Sequence, residues 1–284
     1  MMTAPPAKKI WLNGEILAAH AARIAPDDRG FLLADGVFET ALMQMGEVYW
    51  FADHLTRLRD GAALMGIDLP AILRPEQHSD VTQSLEQIWR VNGFPARAAL
   101  RITLTRGVSQ SRGIWPPSQP ISPTLMMSLS PLAPARIAPI TVKLAQTTRR
   151  NEYSPLSRIK SLGYGDAILA RREAVAQGAN DAVLLNCQGN LACSTAGNVF
   201  LRVHGEWLTP DLDSGILPGL ARARLLPILS AKAAPLPARL WQNCDALLIC
   251  NSLGLTPVKK IDQHELVALD AEFLDEIEST LYQV

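Results

Sequence analysis

The sequence predicts a two-domain α/β protein, of the α+β kind, on three observations. Its first hundred residues alternate short apolar strands with amphipathic helices, without a strand–helix–strand cadence. Prolines crowd the stretch from Pro116 to Pro139, which reads as an extended connection between two folded halves. Finally, 284 residues of which 48% are hydrophobic suffice for two cores of ordinary size.

Each element has a local reason. Residues Lys9 to Leu17 carry short apolar arms around Asn13-Gly14, a preferred two-residue hairpin turn. A second hairpin is expected from Thr40 to Met45 and Val48 to Phe51, flanking Gly46-Glu47. Asp53 is expected to cap the helix HLTRLRDGAALMG, with Leu55, Leu58, Ala62 and Leu64 on its inner face. A helix around Val81 to Val91 and a strand from Ala98 to Thr105 follow, and MMSLSP is strand-like. A linker at 131–136 then separates a smaller first domain, 1–130, from a larger second one, 137–284. The second domain predicts a strand from Ile140 to Ala145, a helix from Gly165 to Gln177 stopped by Gly178, and hairpins up to Trp207. GILPG feeds a helix, LARARLLPIL; the strand DALLICN and a helix from Ala271 to Tyr282 complete the chain.

Composition removes several classes of function. With 27 basic and 27 acidic residues the chain has no electrostatic footprint for nucleic acid or an anionic membrane, although a small anion needs only a few local cations. Cys187, Cys193, Cys244 and Cys250 form no CxxC pair and lack a histidine at ligand spacing, so no metal is expected. Free thiols suit a reducing compartment, and without an apolar leader or a membrane-length apolar run the expected location is the cytoplasm.

Three features converge on a phosphorylated aldehyde cofactor. Lys160, in SRIKSLGYGD, sits between a loop and a helix; partial burial there would supply the neutral amine that a Schiff base requires, whereas a surface lysine would merely snorkel. In DSGILPGLARARLL, Gly215 and Gly219 permit close backbone approach just before a helix start, either a cradle for phosphate or an ordinary helix entry. Arg57, in HLTRL, suits bidentate phosphate recognition or a solvated helix face, and His54 at the same helix start is either catalytic or a packing residue.

Taken in order, DRGFLLADGVFET, HLTRL, RIKSL, AGNVF, SGILPGLAR and LTPV resemble the class IV (fold type IV) aminotransferases, from about Trp11 to the C-terminus. That family includes branched-chain and D-amino-acid aminotransferases and aminodeoxychorismate lyases. The resemblance implies two α/β domains with pyridoxal 5'-phosphate at their interface, amino-acid and 2-oxo-acid substrates, and a homodimer. It implies that Lys160 holds the cofactor covalently and moves the substrate Cα proton. Arg57, the amides of Leu220 and Ala221, and Asn251 with Ser252 would bind phosphate, while Tyr164 would meet the cofactor's phenolic oxygen. Ala221 stands where a threonine is common.

The main departure is Cys193, five residues before Asn198, where the family usually has a glutamate paired to the cofactor's pyridine nitrogen. A thiolate would keep that nitrogen protonated and a neutral thiol would weaken the electron sink; a slipped register would make Cys193 a core residue. The neutral thiol is the favoured reading. For substrate, Arg112 on a Gly- and Ser-rich loop is preferred over Arg106 as a carboxylate ligand, and Phe38 is expected to line the pocket. Transamination leads. Aminodeoxychorismate lyase follows, suggested by HLTRLRDGAALMGIDLP and TRGVSQSRGIWPP but opposed by Gly163 and Tyr164, where lyases commonly carry Asn-Arg. A cofactor-binding protein without turnover is the third reading.

Overall fold

The computed structural model describes residues 8–109, 112–116, 120–133 and 138–283. The chain divides into two compact units, Met1–Pro134 with Lys160–Leu162, and Ala135–Ile159 with Gly163–Val284. Of the linker expected at 131–136, residues 134–136 lie outside the described residues. Lys160, expected in the second domain, groups with the first, because the Phe38 N–H donates to the Lys160 carbonyl at 2.9 Å and the Leu162 N–H to that of Gly36 at 3.0 Å.

The first unit begins with β1 (Lys9–Leu12) and β2 (Glu15–Ala18). Asn13 and Gly14 supply the positive φ angles of 48° and 103° that their hairpin turn needs. A five-residue α1 (Arg29–Leu33) precedes β3 (Gly36–Gln44), and β4 is only Glu47–Val48. The expected second arm to Phe51 is cut short at Trp50, whose φ of 54° turns the chain directly into α2 (Phe51–Leu64). Asp53 is therefore not the cap; it lies in the first turn, where its charge opposes the helix dipole favourably. Leu64, assigned to the inner face, is exposed at the helix end.

α3 (His78–Val91), β5 (Arg97–Thr105) and β6 (Thr124–Pro131) complete this unit. Its six strands run β2-β1-β6-β5-β3-β4 with every pairing antiparallel. α2 packs on β3 while α3 packs on β1 and β6. Buried Leu55, Leu58, Leu100, Ile102, Met127 and Leu129 belong to its core.

The second unit contains β7 (Ile140–Leu144), α4 (Gly165–Ala176), β8 (Asp181–Leu185), β9 (Leu191–Ser194), β10 (Asn198–Val203) and β11 (Glu206–Pro210). α5 (Leu220–Ile228), β12 (Lys232–Ala234), β13 (Ala246–Asn251), β14 (Gly254–Ile261), β15 (His264–Glu265) and α6 (Ala271–Leu281) follow. The order β10-β13-β14-β7-β8-β9 closes into a ring through the Cys193–Asn198 bridge of β9 to β10. Val142, Val183, Val199, Leu201, Leu247 and Val258 are among its buried core residues. α4 lies close on β8 because Ala170, Ala174, Ala179 and Ala182 present only methyl groups there. No helix among the described residues is long and apolar enough to cross a membrane.

Candidate active site

In the first unit, β3 sends neighbouring residues to opposite faces of the sheet. Phe38 is buried, with the Lys160 Nζ 4.3 Å from its ring centroid and the Arg101 guanidinium carbon at 3.9 Å. These are cation–π distances, so the ring is a platform for two cations. Lys160 itself is half-buried, with its backbone tied to β3.

Glu39, the next residue, faces α2. Its carboxylate accepts from Arg57 Nε at 2.7 Å and Nη2 at 2.7 Å, a bidentate pair, and from His54 Nδ1 at 2.7 Å. His54 and Arg57 share one helix face because they are three residues apart. Burial alone would raise the Glu39 pKa, but the bonds and charges of Arg57 and His54 outweigh it and hold the carboxyl below its ordinary range. Burial depresses the His54 pKa, with the charges of Arg57 and Lys160 adding to it against the pull of Glu39. A neutral imidazole donating from Nδ1 leaves Nε2 as an acceptor, and this buried nitrogen has no hydrogen-bond partner.

The two arginines proposed for substrate have different positions. Arg106 is committed to structure: it forms two bonds to Asp35, at 2.7 and 3.1 Å, and donates to the carbonyls of Met65 and Gly66. Arg112 is exposed on the loop that follows β5, beyond residues 110–111, which are outside the described residues.

The second unit gathers a separate group. Tyr164 is the half-buried residue preceding α4, and its carbonyl accepts from the Ile168 N–H. α5 starts after Gly219 with no side-chain cap, and its first intrahelical bond is from the Ala223 N–H to the Gly219 carbonyl. The amides of Leu220 and Ala221 precede that bond, the arrangement by which a helix start accepts an anion. A Cβ on Gly219 would fall 2.0 Å from Asn198 Oδ1, while Asn198 Nδ2 donates to the Leu217 carbonyl, so buried Asn198 shapes the turn. Asn251 Nδ2 donates to the Ala196 carbonyl, and the Ser252 carbonyl accepts from the Tyr282 hydroxyl.

Cys193 lies on β9 opposite both Leu184 and Asn198. Burial pushes its thiol up, with Asp181 adding and Arg150 opposing, so the sulfur is neutral at ordinary pH. All four cysteines are free, and no cluster of three or more metal-ligating side chains occurs among the described residues.

Glu39, Arg101 and Asn198 had no assigned role in the sequence. Glu39 carried a usable signal, a lone carboxylate inside the apolar run GVFETALM with a His-x-x-Arg helix to follow. Arg101 and Asn198 carried none beyond their motifs.

The amino-transferase class IV family model matches residues 36–261. Over 265 residues the chain is 31% identical to a Methanocaldococcus jannaschii protein named "Putative branched-chain-amino-acid aminotransferase", covering 89% of this chain and 88% of that one. It is 27% identical over 214 residues to the aminodeoxychorismate lyase of Bacillus subtilis, covering 75% of this chain and 71% of the lyase. A hypothetical aminotransferase from Mycobacterium tuberculosis, solved in a PLP-bound form, shares the fold with a TM-score of 0.81 at 22% identity, over 96% of this chain and 98% of that one.

Proposed function

Because the chain belongs to the class IV aminotransferase family, which uses pyridoxal 5'-phosphate, we propose that it moves an amino group from an amino acid of the branched-chain or D-amino-acid type to a 2-oxo acid. The observation that carries this is Lys160, a half-buried amine with its backbone pinned to β3 and its Nζ over Phe38. The donor set fits the cofactor: an amine for its aldehyde, and an uncapped helix start with a turn that only glycine can occupy for its phosphate.

When bound, the cofactor supplies an electron sink for the charge left at the substrate Cα. Lys160 Nζ would take the proton from the substrate Cα as a general base and deliver it, as a general acid, to the cofactor carbon that carried the aldehyde. Arg57, its guanidinium fixed by two bonds to Glu39, would hold the phosphate. In the second unit, the family resemblance gives the amides of Leu220 and Ala221, with Asn251 and Ser252, a phosphate-binding role, and Tyr164 would donate to the phenolic oxygen. Cys193, a neutral thiol, would hold the pyridine nitrogen's proton less firmly than a carboxylate, leaving a weaker electron sink. Phe38 lines the substrate side, and Arg112 receives the substrate carboxylate. Exposed Phe31, Leu32, Ile114 and Trp115 support a homodimer.

A second reading, release of 4-aminobenzoate and pyruvate from aminodeoxychorismate, is favoured by the similarity to the Bacillus subtilis lyase. One titration separates the two. Added singly to the purified, cofactor-loaded protein, one of D-alanine, L-leucine or L-glutamate is expected to convert the cofactor's absorbance lastingly to that of its amine form. Release of 4-aminobenzoate from aminodeoxychorismate without lasting conversion would establish the lyase instead.

A further inference from the structure

The aminotransferase reading leaves unexplained a buried charge cluster in the first unit. We propose that Arg29 and Asp35 are positioning residues for substrate recognition, holding the backbone at Gly113 and Ile114 beside Arg112; the proposal rests on that reading and on Arg112 as carboxylate ligand.

The cluster is built from the segment DRGFLLADG. Asp28 is fully buried; it accepts from the Gly30 N–H at 2.8 Å and from the hydroxyls of Thr105 and Thr124 at 3.0 and 2.7 Å, and so locks α1 to β5 and β6. The Arg29 side chain is buried beneath the loop. Its Nε donates to Asp35 Oδ2 at 2.7 Å, its Nη1 to the Gly113 carbonyl at 3.0 Å and its Nη2 to the Ile114 carbonyl at 2.6 Å. Asp35 also takes both bonds from Arg106, the residue with which the loop begins. A single carboxylate thus ties down Arg106 directly and, through Arg29, Gly113 and Ile114. The Arg29 N–H adds a bond to the Gly107 carbonyl at 2.9 Å, and Asp28 bridges Val108.

Arg112 immediately precedes the first carbonyl that Arg29 holds, so the path of the chain at Arg112 follows from where that guanidinium sits. Within the single chain, Ile114 and Trp115 are 85% and 87% exposed. Burying three charges beneath so exposed a loop is a poor way to gain stability, since two desolvated guanidiniums on one carboxylate offset much of their own attraction. It is an effective way to fix the backbone at Gly113 and Ile114. A planar guanidinium spans a carboxylate and two carbonyls at once, which an ammonium cannot.

The test is a double-mutant cycle on the holoenzyme with Arg29→Gln, Arg112→Gln and the pair, with Arg29→Lys as a milder variant that keeps the charge beside Asp35. Arg29→Gln is expected to raise KM for the amino acid about tenfold, the scale of one lost charge-assisted hydrogen bond, with kcat and cofactor affinity unchanged. Arg29→Lys should raise it in the same direction, and hydrogen exchange at 112–116 should quicken in both. Arg112→Gln should raise KM comparably, and the double variant should be no worse than Arg112→Gln alone. Additive effects, an unchanged KM in Arg29→Gln, or kcat and cofactor affinity falling together with KM would overturn the proposal. If Arg112→Gln leaves KM unchanged, the positioning role fails while the aminotransferase reading stands; a cofactor spectrum indifferent to every amino acid defeats that reading itself.

Discussion

Glu39 pairs with both His54 and Arg57. A protonated His54 would set a second buried cation beside Arg57, so the neutral ring is the form that the fold tolerates. The consequence for stability follows from the direction of each shift. The folded-state pKa of His54 lies below its ordinary 6.5, so as pH falls through 6.5 the unfolded chain takes up a proton first and stability begins to drop. Glu39, held below its ordinary 4.5, contributes stability that is complete above 4.5 and lost as pH falls through its folded value. Denaturant midpoints measured against pH should therefore decline in two stages, and His54→Asn, which keeps a donor toward Glu39, should abolish the upper stage only. An upper stage that persists in this variant would assign it to another group. Arg106 shows why single residues mislead in sequence: its partner Asp35 is 71 positions away, and only the fold reveals that the guanidinium is already committed.

At the scale of elements, α5 and the turn before it carry the sharpest expectation. Asn198 is buried and bonded to the Leu217 carbonyl, so it cannot swing aside for a Cβ that would arrive 2.0 Å from its oxygen. Gly219→Ala should displace the helix start and weaken binding of pyridoxal 5'-phosphate by about tenfold or more, while binding of unphosphorylated pyridoxal stays the same. Equal losses for both ligands in a fluorescence titration would mean that the turn does not serve phosphate. This element was legible because glycine and proline punctuation and an apolar helix sit in local sequence. The first hairpin was legible for the same reason, through Asn13-Gly14. The front half of β3 was not: Gly36–Glu39 contains a carboxylate that becomes intelligible as strand interior only once α2 supplies two partners for it. Trp50 in the left-handed region had no local signal either, which moved the start of α2 ahead of Asp53. The ring in the second unit also depends on pairings far apart in sequence, β14 with β7 and β7 with β8, which no local pattern encodes.

At the scale of the whole molecule, α1 and the 112–116 loop leave Phe31 at 75% and Leu32 at 59% exposure, alongside Ile114 and Trp115. Large apolar side chains grouped in this way on one unit mark a contact surface, and a second copy of the chain is the occupant we propose. Leu32→Glu with Trp115→Glu should shift sedimentation from dimer to monomer; an unchanged dimer would place the contact elsewhere. The composition and motif order made the two-unit architecture and the family legible, whereas the surface that meets a partner was not, because exposure is decided by packing and not by residue type. The central claim is that Lys160 carries the cofactor, and the most direct measurement is to reduce the loaded protein with borohydride, digest it and weigh the peptides. The account predicts a phosphopyridoxyl group on the peptide containing Lys160, absent in Lys160→Ala. The same group on another lysine, or on none, would contradict it.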